Sequence, residues 1–157
     1  MEEDRYEVRR VLVQMSKEIL NKQIESYNSL QKKAQIAIGA TSIFFTTFLA
    51  FIKDTNQIIK IASLLPLVLI IVGMYLAIYV IHPRGISTGI KVNEIENLLN
   101  LDLKSLQLKK IALYKRCVEL NMSLLKRIST NYRNSMTCIA LAVLFSIILF
   151  YVNIIIK

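Results

Sequence analysis

Three long stretches without a charged residue constrain this chain more than any other feature of its sequence. They cover residues 34–52, 61–81 and 136–156, which is 19, 21 and 21 residues. An α-helix rises about 1.5 Å per residue and the hydrocarbon core of a bilayer is about 30 Å thick, so roughly 20 apolar residues cross it. Buried helices of a soluble bundle normally keep a polar stripe, whereas none of these stretches has a charged face. The sequence therefore predicts an all-α integral membrane protein with three transmembrane helices.

The charged residues lie outside these stretches and predict how the chain is oriented. Of the 20 Lys and Arg residues, seven fall in residues 1–33 and ten in residues 82–135, which leaves three for the rest of the chain. Loops on the cytoplasmic side of a membrane carry an excess of Lys and Arg. We therefore expect a multi-pass membrane protein, with its N-terminus in the cytoplasm and its C-terminus outside; the resemblance described below implies the cell inner membrane.

The N-terminal segment, residues 1–33, is predicted to be a cytoplasmic amphipathic helix. It contains no Gly or Pro from residue 2 to residue 33, so nothing in it ends a helix before the first span. Apolar residues recur at spacings of four, three and four, which marks one helix face. These residues are Val8, Leu12, Met15 and Ile19.

Residues 82–135 are predicted to form a basic helical insert between the second and third spans. Pro83, Gly85 and Gly89 indicate a turn, and a short helix is expected over residues 91–99. After a break at Asn100 and Asp102, a longer helix is expected to run from Leu103 into the third span. Two rows at heptad spacing give it a face for packing against another helix. The rows are Leu103, Lys110, Cys117 and Leu124, and Leu106, Leu113, Leu120 and Arg127.

The sequence offers no catalytic site that can be defended, and no metal or other cofactor is predicted. Metal sites and catalytic dyads need several His, Cys or carboxylate groups to converge. His82 is the single histidine, and Cys117 and Cys138 are 21 residues apart. We expect His82 to be an interfacial residue and the two cysteines to be reduced thiols that fill small apolar spaces.

The basic insert has a net charge of +6, for which two explanations stay open. One is a topology signal that also attracts anionic lipid head groups. The other is a site for a phosphate-bearing ligand. Residues seven apart share a helix face, as Lys109 does with Arg116 and Lys126 with Arg133. The candidate phosphate-binding residues are Arg84, Lys109, Lys110, Lys115, Arg116, Lys126, Arg127 and Arg133, with Tyr114 and Tyr132 as candidates for stacking on a base.

Small and hydroxylated residues mark one face of the first span. Gly39, Ser42 and Thr46 are spaced by three and four, and Lys53 follows seven residues later. Such a stripe lets membrane helices pack closely. Alternatively, it lines a water-filled path between subunits. The second alternative requires a homo-oligomer, because three spans are too few to enclose a pore.

The order of these parts resembles the transmembrane effectors of bacterial anti-phage signalling, the Pycsar transmembrane effector and SLATT-type group. The resemblance covers nearly the whole chain, and its motifs are short. One departure is Lys32, because the family tends to have an acidic residue just before the Lys-Ala step. The matching residues are Lys33 and Ala34, then Ile81, His82, Pro83 and Arg84, then Ser129, Tyr132 and Arg133.

The resemblance implies an oligomeric channel or pore that impairs the inner membrane when infection is sensed. It also implies control by a nucleotide or short oligonucleotide, made by a partner nucleotidyltransferase or cyclase. The basic insert, or another protein, would then bind that signal, while membrane lipid surrounds the spans. The residues themselves leave two alternatives open, a non-conducting scaffold that docks a soluble partner and a holin-like lysis protein.

Overall fold

The computed structural model of the chain describes residues 2–82, 84–88 and 101–156. In these residues the protein is all-helical, with no strand. The four helices are α1 (Glu2–Lys53), α2 (Gln57–Ala62), α3 (Leu64–Ile81) and α4 (Leu103–Ile156).

Three helical segments are long and apolar enough to cross a membrane. They lie within Arg5–Lys53, Gln57–Ile81 and Leu103–Ile155, and each contains one of the uncharged stretches. The predicted fold class, an all-α protein with three candidate membrane spans, is therefore confirmed.

Both long helices join a charged segment to an apolar one without interruption. α1 runs from Glu2 to Lys53, so the prediction that the N-terminal helix continues into the first span is confirmed. α4 begins at Leu103, the predicted residue, where Asp102 Oδ2 accepts a hydrogen bond of 3.3 Å from the Ser105 amide. Hydrogen bonds from the Ser105 side chain and backbone hold the pKa of Asp102 below its ordinary value. An ionised carboxylate at this position caps the first turn of the helix.

The second apolar stretch is divided between two helices. The predicted span begins at residue 61, whereas α3 begins at Leu64, after Ser63 has ended α2. Pro66 has no N–H, so it cannot bond to the carbonyl oxygen of Ala62 and continue α2. Ser63 is the C-cap residue of α2: its amide and its Oγ both donate to the Ile59 carbonyl oxygen, at 2.9 and 2.7 Å.

Part of the predicted insert lies outside the described residues. This applies to Pro83, Gly89, Asn100 and the short helix expected over residues 91–99. Gly85 is described, and it belongs to a non-helical stretch over residues 84–88.

The chain divides into two compact units. The first unit comprises Met1–Asn28 and Arg84–Lys126, and the second comprises Ser29–Pro83 and Arg127–Lys157. Each unit therefore contains part of α1 and part of α4.

The second unit packs through residues that recur every seven positions. The α1 residues Ala34, Thr41 and Phe48 are buried at this spacing. Recurrence of buried residues every seven positions is typical of helices that pack along a shared seam. On α3 the buried positions alternate by four and three, and α4 again repeats by seven. They are Pro66, Ile70, Gly73, Ala77 and Val80 on α3, and Ile128, Ser135 and Ala142 on α4.

The first unit has a more polar interior than its sequence predicts. One predicted row of α4 largely faces inward, since Cys117 is buried and Lys110 and Leu124 are half-buried. In the other row Leu106 and Leu113 are half-buried, whereas Leu120 is 57% exposed and Arg127, which belongs to the second unit, is exposed. Gln107 and Asn121, each one residue after a member of that row, are buried beside Cys117.

Candidate functional site

Three of the four residues of the stripe predicted on the first span lie on the outer face of α1, and Ser42 is half-buried. Gly39, Thr46 and Lys53 are exposed and lie on the side of the helix away from the buried Thr41 and Phe48. A Cβ atom added at Gly39 would meet nothing within 4 Å. Within the described chain, Gly39 therefore has no packing role, and a role of this face in an assembly stays a prediction.

The hydroxyl groups of this stripe bond to their own helix. Ser42 Oγ donates a hydrogen bond of 2.8 Å to the Ile38 carbonyl oxygen, and Thr46 Oγ1 donates one of 2.8 Å to that of Ile43. A hydroxyl satisfied in this way is tolerated in apolar surroundings as well as in water. The stripe is therefore compatible with lipid, with a neighbouring helix and with a water-filled path.

Two of the four stripe residues contribute to one groove between α1 and α3. Ser42 and Thr46 line it, whereas Gly39 and Lys53 do not. The other lining residues are apolar or aromatic, so the groove suits an apolar occupant. They are Phe45, Ile71, Met74, Tyr75 and Ile78.

The N-terminal part of α1 has an exposed apolar stripe. The inward side of this part is marked by Leu20, which is buried. The predicted apolar face lies elsewhere on the helix and is solvent-exposed in the single chain, so it is available to a partner. Its residues are Val8, Leu12, Met15 and Ile19, with exposures of 58, 45, 53 and 49%.

Most of the candidate phosphate-binding residues belong to the first unit. Lys109 and Arg116 are exposed two turns apart, and Lys110 and Tyr114 between them are half-buried. Lys115 Nζ lies 3.9 Å from Glu119 Oε1, and both side chains are largely exposed. An exposed pair of this kind contributes about 0–1 kcal/mol, so Lys115 can exchange Glu119 for a stronger anion.

Arg84 and Lys126 complete the candidates of the first unit. The Arg84 amide donates a hydrogen bond of 3.2 Å to the Tyr27 hydroxyl, which holds the backbone of this residue against α1. Lys126 is exposed near the end of the unit.

The remaining candidates, Arg127, Tyr132 and Arg133, belong to the second unit. The Arg127 guanidinium carbon lies 5.4 Å from the centroid of the Tyr79 ring, which is within the range of a cation–π interaction. Arg133 is exposed and Tyr132 is half-buried. The eight predicted cations are thus divided between two units rather than gathered in one.

A polar clamp in the first unit was not predicted from the sequence. Asn121 Oδ1 accepts a hydrogen bond of 3.0 Å from the Ser87 amide, and Asn121 Nδ2 donates one of 2.8 Å to the Ser87 carbonyl oxygen. Ser87 Oγ also lies 2.9 Å from Cys117 Sγ. These bonds hold the non-helical residues 84–88 on α4. The available signal was Asn121 itself, a polar residue seven positions before the apolar Ile128.

The described residues contain no group of three or more His, Cys, Asp and Glu side chains that could hold a metal ion. Cys117 and Cys138 are free thiols, the first buried and the second half-buried. Comparison of the chain with protein-family models, with curated proteins and with solved structures finds no match. The fold by itself defines the class, an all-helical protein with three candidate membrane spans.

Proposed function

We propose that this chain is an inner-membrane effector that assembles from several copies through α1 and alters the permeability of the membrane in anti-phage defence. The observation that carries the proposal is that α1 has two exposed stripes, an apolar one in its N-terminal arm (residues 2–33) and one of small and hydroxylated residues in its span. The defence context comes from the resemblance of the sequence to transmembrane anti-phage effectors.

The membrane spans favour an assembly of several copies. Only 11, 28 and 11% of the residues in the three apolar windows are buried within the chain. Gly39 offers open space to a neighbouring helix, and small residues at such positions let helix backbones approach closely. A ring of copies would bring the Thr46 hydroxyls of all copies to one level and their Lys53 ammonium groups to another, about 10 Å along the helix.

The exposed stripe of the arm favours another copy of the same chain as its neighbour. All copies in one membrane have the same orientation, so their α1 helices run parallel and place the same residues side by side. Leu12 of one copy would meet Leu12 of the next, and burial of such an apolar stripe favours association. Leu12 and Gly39 are 27 residues apart, about half a turn around a regular helix, so the two stripes of α1 would support separate contacts in the assembly.

The first unit is proposed to bind the signal, a nucleotide or short oligonucleotide. From residue 103 to residue 126, α4 has six cations and one acidic residue, Glu119. Lys109 and Arg116 share a face that a phosphate chain can follow, whereas Tyr114 is half-buried on the other side of α4. The buried Oε1 atoms of Gln23 and Gln107 have no hydrogen-bond partner among the described residues, so this interior is less tightly held than an apolar core. Ligand binding could therefore favour one arrangement of the unit over another.

Disulfide crosslinking in membranes tests the assembly. We expect Leu12→Cys to give a disulfide-linked dimer under mild oxidation, because the two thiols of parallel neighbours meet. Asn21→Cys is the matched control, since Asn21 is exposed and lies half a turn away from Leu12 on the same helix. The native chain, with Cys117 and Cys138, gives the background. Equal crosslinking of both variants, or none of Leu12→Cys, would contradict the interface.

Binding of a panel of cyclic mono- and dinucleotides tests the signal site. We expect at least one of them to raise the thermal stability of the native chain, and the double variant Lys109→Glu, Arg116→Glu to lose that rise. The control variant Lys53→Glu, Lys60→Glu changes the net charge by the same amount in the α1–α2 region. It should keep the rise in thermal stability. If the control loses the rise as well, the response reflects overall charge rather than a site in the first unit.

A further inference from the structure

One end of the second unit brings together three helices at a single level. Gln31 Nε2 on α1 donates a hydrogen bond of 3.1 Å to the carbonyl oxygen of Ile81, the last residue of α3. Two residues before Ile81, the Tyr79 ring lies under the Arg127 guanidinium of α4. Within this unit, the two contacts therefore hold Gln31 of α1 and Arg127 of α4 against the last turn of α3.

Basic residues lie at this level and, in the case of Arg133, about 9 Å further along α4 on the span side. Lys32 and Lys33 follow Gln31 directly and are exposed, and Arg127 and Arg133 are exposed on α4. Residues 29–82 and 127–156 contain one acidic residue, Asp54, which follows the opposite end of α1. The four cations, called here the basic collar, therefore have no carboxylate in their own unit near them.

Exposed apolar residues lie about one turn from Lys32, Lys33 and Arg127 on the span side, close to the depth of Arg133. Ile36 is 72% exposed and stands four residues after Lys32 and three after Lys33, so the three share a face of α1. On α3, Ile78 is 55% exposed next to Tyr79. A ligand that contacts both sets of residues needs an anionic head and an apolar tail.

We propose that the basic collar, Lys32, Lys33, Arg127 and Arg133, binds the phosphate head groups of anionic phospholipids. The Lys ammonium and Arg guanidinium groups bond to the phosphate, and Tyr79 holds Arg127 at the level where its aromatic ring meets the head-group region. The acyl chains then lie against the exposed isoleucines below. This inference is independent of the proposed assembly, and it assigns Arg127 and Arg133 to lipid rather than to the soluble signal.

Native mass spectrometry of the whole chain tests the site. Protein in mild detergent is mixed with phosphatidylglycerol or with phosphatidylcholine, and the lipid retained per chain is counted. We expect several-fold more phosphatidylglycerol than phosphatidylcholine on the native chain. Changing Lys32, Lys33, Arg127 and Arg133 to Gln should reduce the retained phosphatidylglycerol to the level of phosphatidylcholine.

The matched control removes four charges from the first unit, by changing Lys109, Lys110, Lys115 and Arg116 to Gln, and it should retain the lipid. An equal loss in this control, or equal retention of both lipids by the native chain, would overturn the proposal. Displacement of the lipid by glycerol phosphate alone would also overturn it, because the site would then recognise a soluble phosphate. If the fourfold variant does not fold, Lys32→Gln, Lys33→Gln on exposed positions should still reduce the retained phosphatidylglycerol, and unchanged retention would count against the site.

Discussion

Ser135 on α4 donates a hydrogen bond of 2.7 Å from its Oγ atom to the carbonyl oxygen of Gly73 on α3, and both residues are buried. The absence of a side chain at Gly73 makes this approach possible. A Cβ atom there would lie 2.8 Å from Ile139 Cγ1 and 3.3 Å from the Ser135 carbonyl oxygen. The contact between α3 and α4 in the second unit therefore depends on a glycine.

Replacing Gly73 by Ala should destabilise the second unit by about 1–3 kcal/mol, the usual range for adding a methyl group to a well-packed site. Ile139 Cγ1 is not the free end of a side chain, so the helices have to move apart to accept the new atom. Reversible unfolding in detergent mixtures measures the change. Gly39→Ala is the matched control and should leave the stability of the single chain nearly unchanged, because its Cβ meets open space.

Replacing Ser135 by Ala should have a smaller effect than Gly73→Ala. The variant loses one hydrogen bond between helices, which is worth about 0.6 kcal/mol on average in membrane proteins. It adds no atoms, so the packing of α3 against α4 is kept. The same unfolding measurement gives the comparison, and a loss larger than that of Gly73→Ala would show that the hydrogen bond, rather than the space at Gly73, governs the contact.

Asn121→Ala should release residues 84–88 from α4. The change leaves the Ser87 amide and carbonyl groups without the two hydrogen bonds that Asn121 makes to them, at a cost of about 1–3 kcal/mol. Faster hydrogen exchange at the Ser87 amide is the expected signature. Asn134→Ala serves as a control, because Asn134 is exposed on the same helix. Unchanged exchange at Ser87 in the Asn121 variant would contradict the clamp.

The first turn of α4 should loosen in acid. Hydrogen bonds from Ser105 lower the pKa of Asp102, so the folded helix binds a proton less readily than the unfolded chain does. The stabilisation from this cap is therefore complete above the ordinary aspartate pKa of about 3.9, and it is lost as the pH falls through the lower pKa of the folded state. The protection of the Ser105 amide, its exchange rate compared with that of an unfolded amide at the same pH, should fall over that interval. In Asp102→Asn the dependence on pH should disappear, and its persistence would assign it to another group.

The sequence predicts the long helices well because their signals are local. Charge-free stretches of about 20 residues mark the spans, and the lack of Gly and Pro before residue 34 explains why α1 does not break. Asp102 likewise marks the start of α4 through its own hydrogen bond to Ser105. The split at Ser63 was missed, although Pro66 is a visible local signal for it.

Contacts between helices were harder to predict, because they depend on which face of each helix turns inward. The row of α4 with Leu120 was expected to pack, whereas Asn121 is buried because it finds hydrogen-bond partners on Ser87 that no periodicity reveals. The sequence drew attention to Gly39 in the first span, but the glycine at the close contact is Gly73. Each is the one glycine in its uncharged stretch. Only the packing of the helices shows that a Cβ atom would meet a neighbour at Gly73 and open space at Gly39.

Ion flux through liposomes that contain the purified chain tests the central claim most directly. The account predicts K⁺ efflux whose rate changes on addition of at least one nucleotide of the panel. It also predicts that Leu12→Glu, Ile19→Glu, which disrupts the exposed stripe of the arm, abolishes the efflux while the protein still inserts. Absence of efflux with every nucleotide, from vesicles in which the native chain is inserted and monomeric, would contradict it.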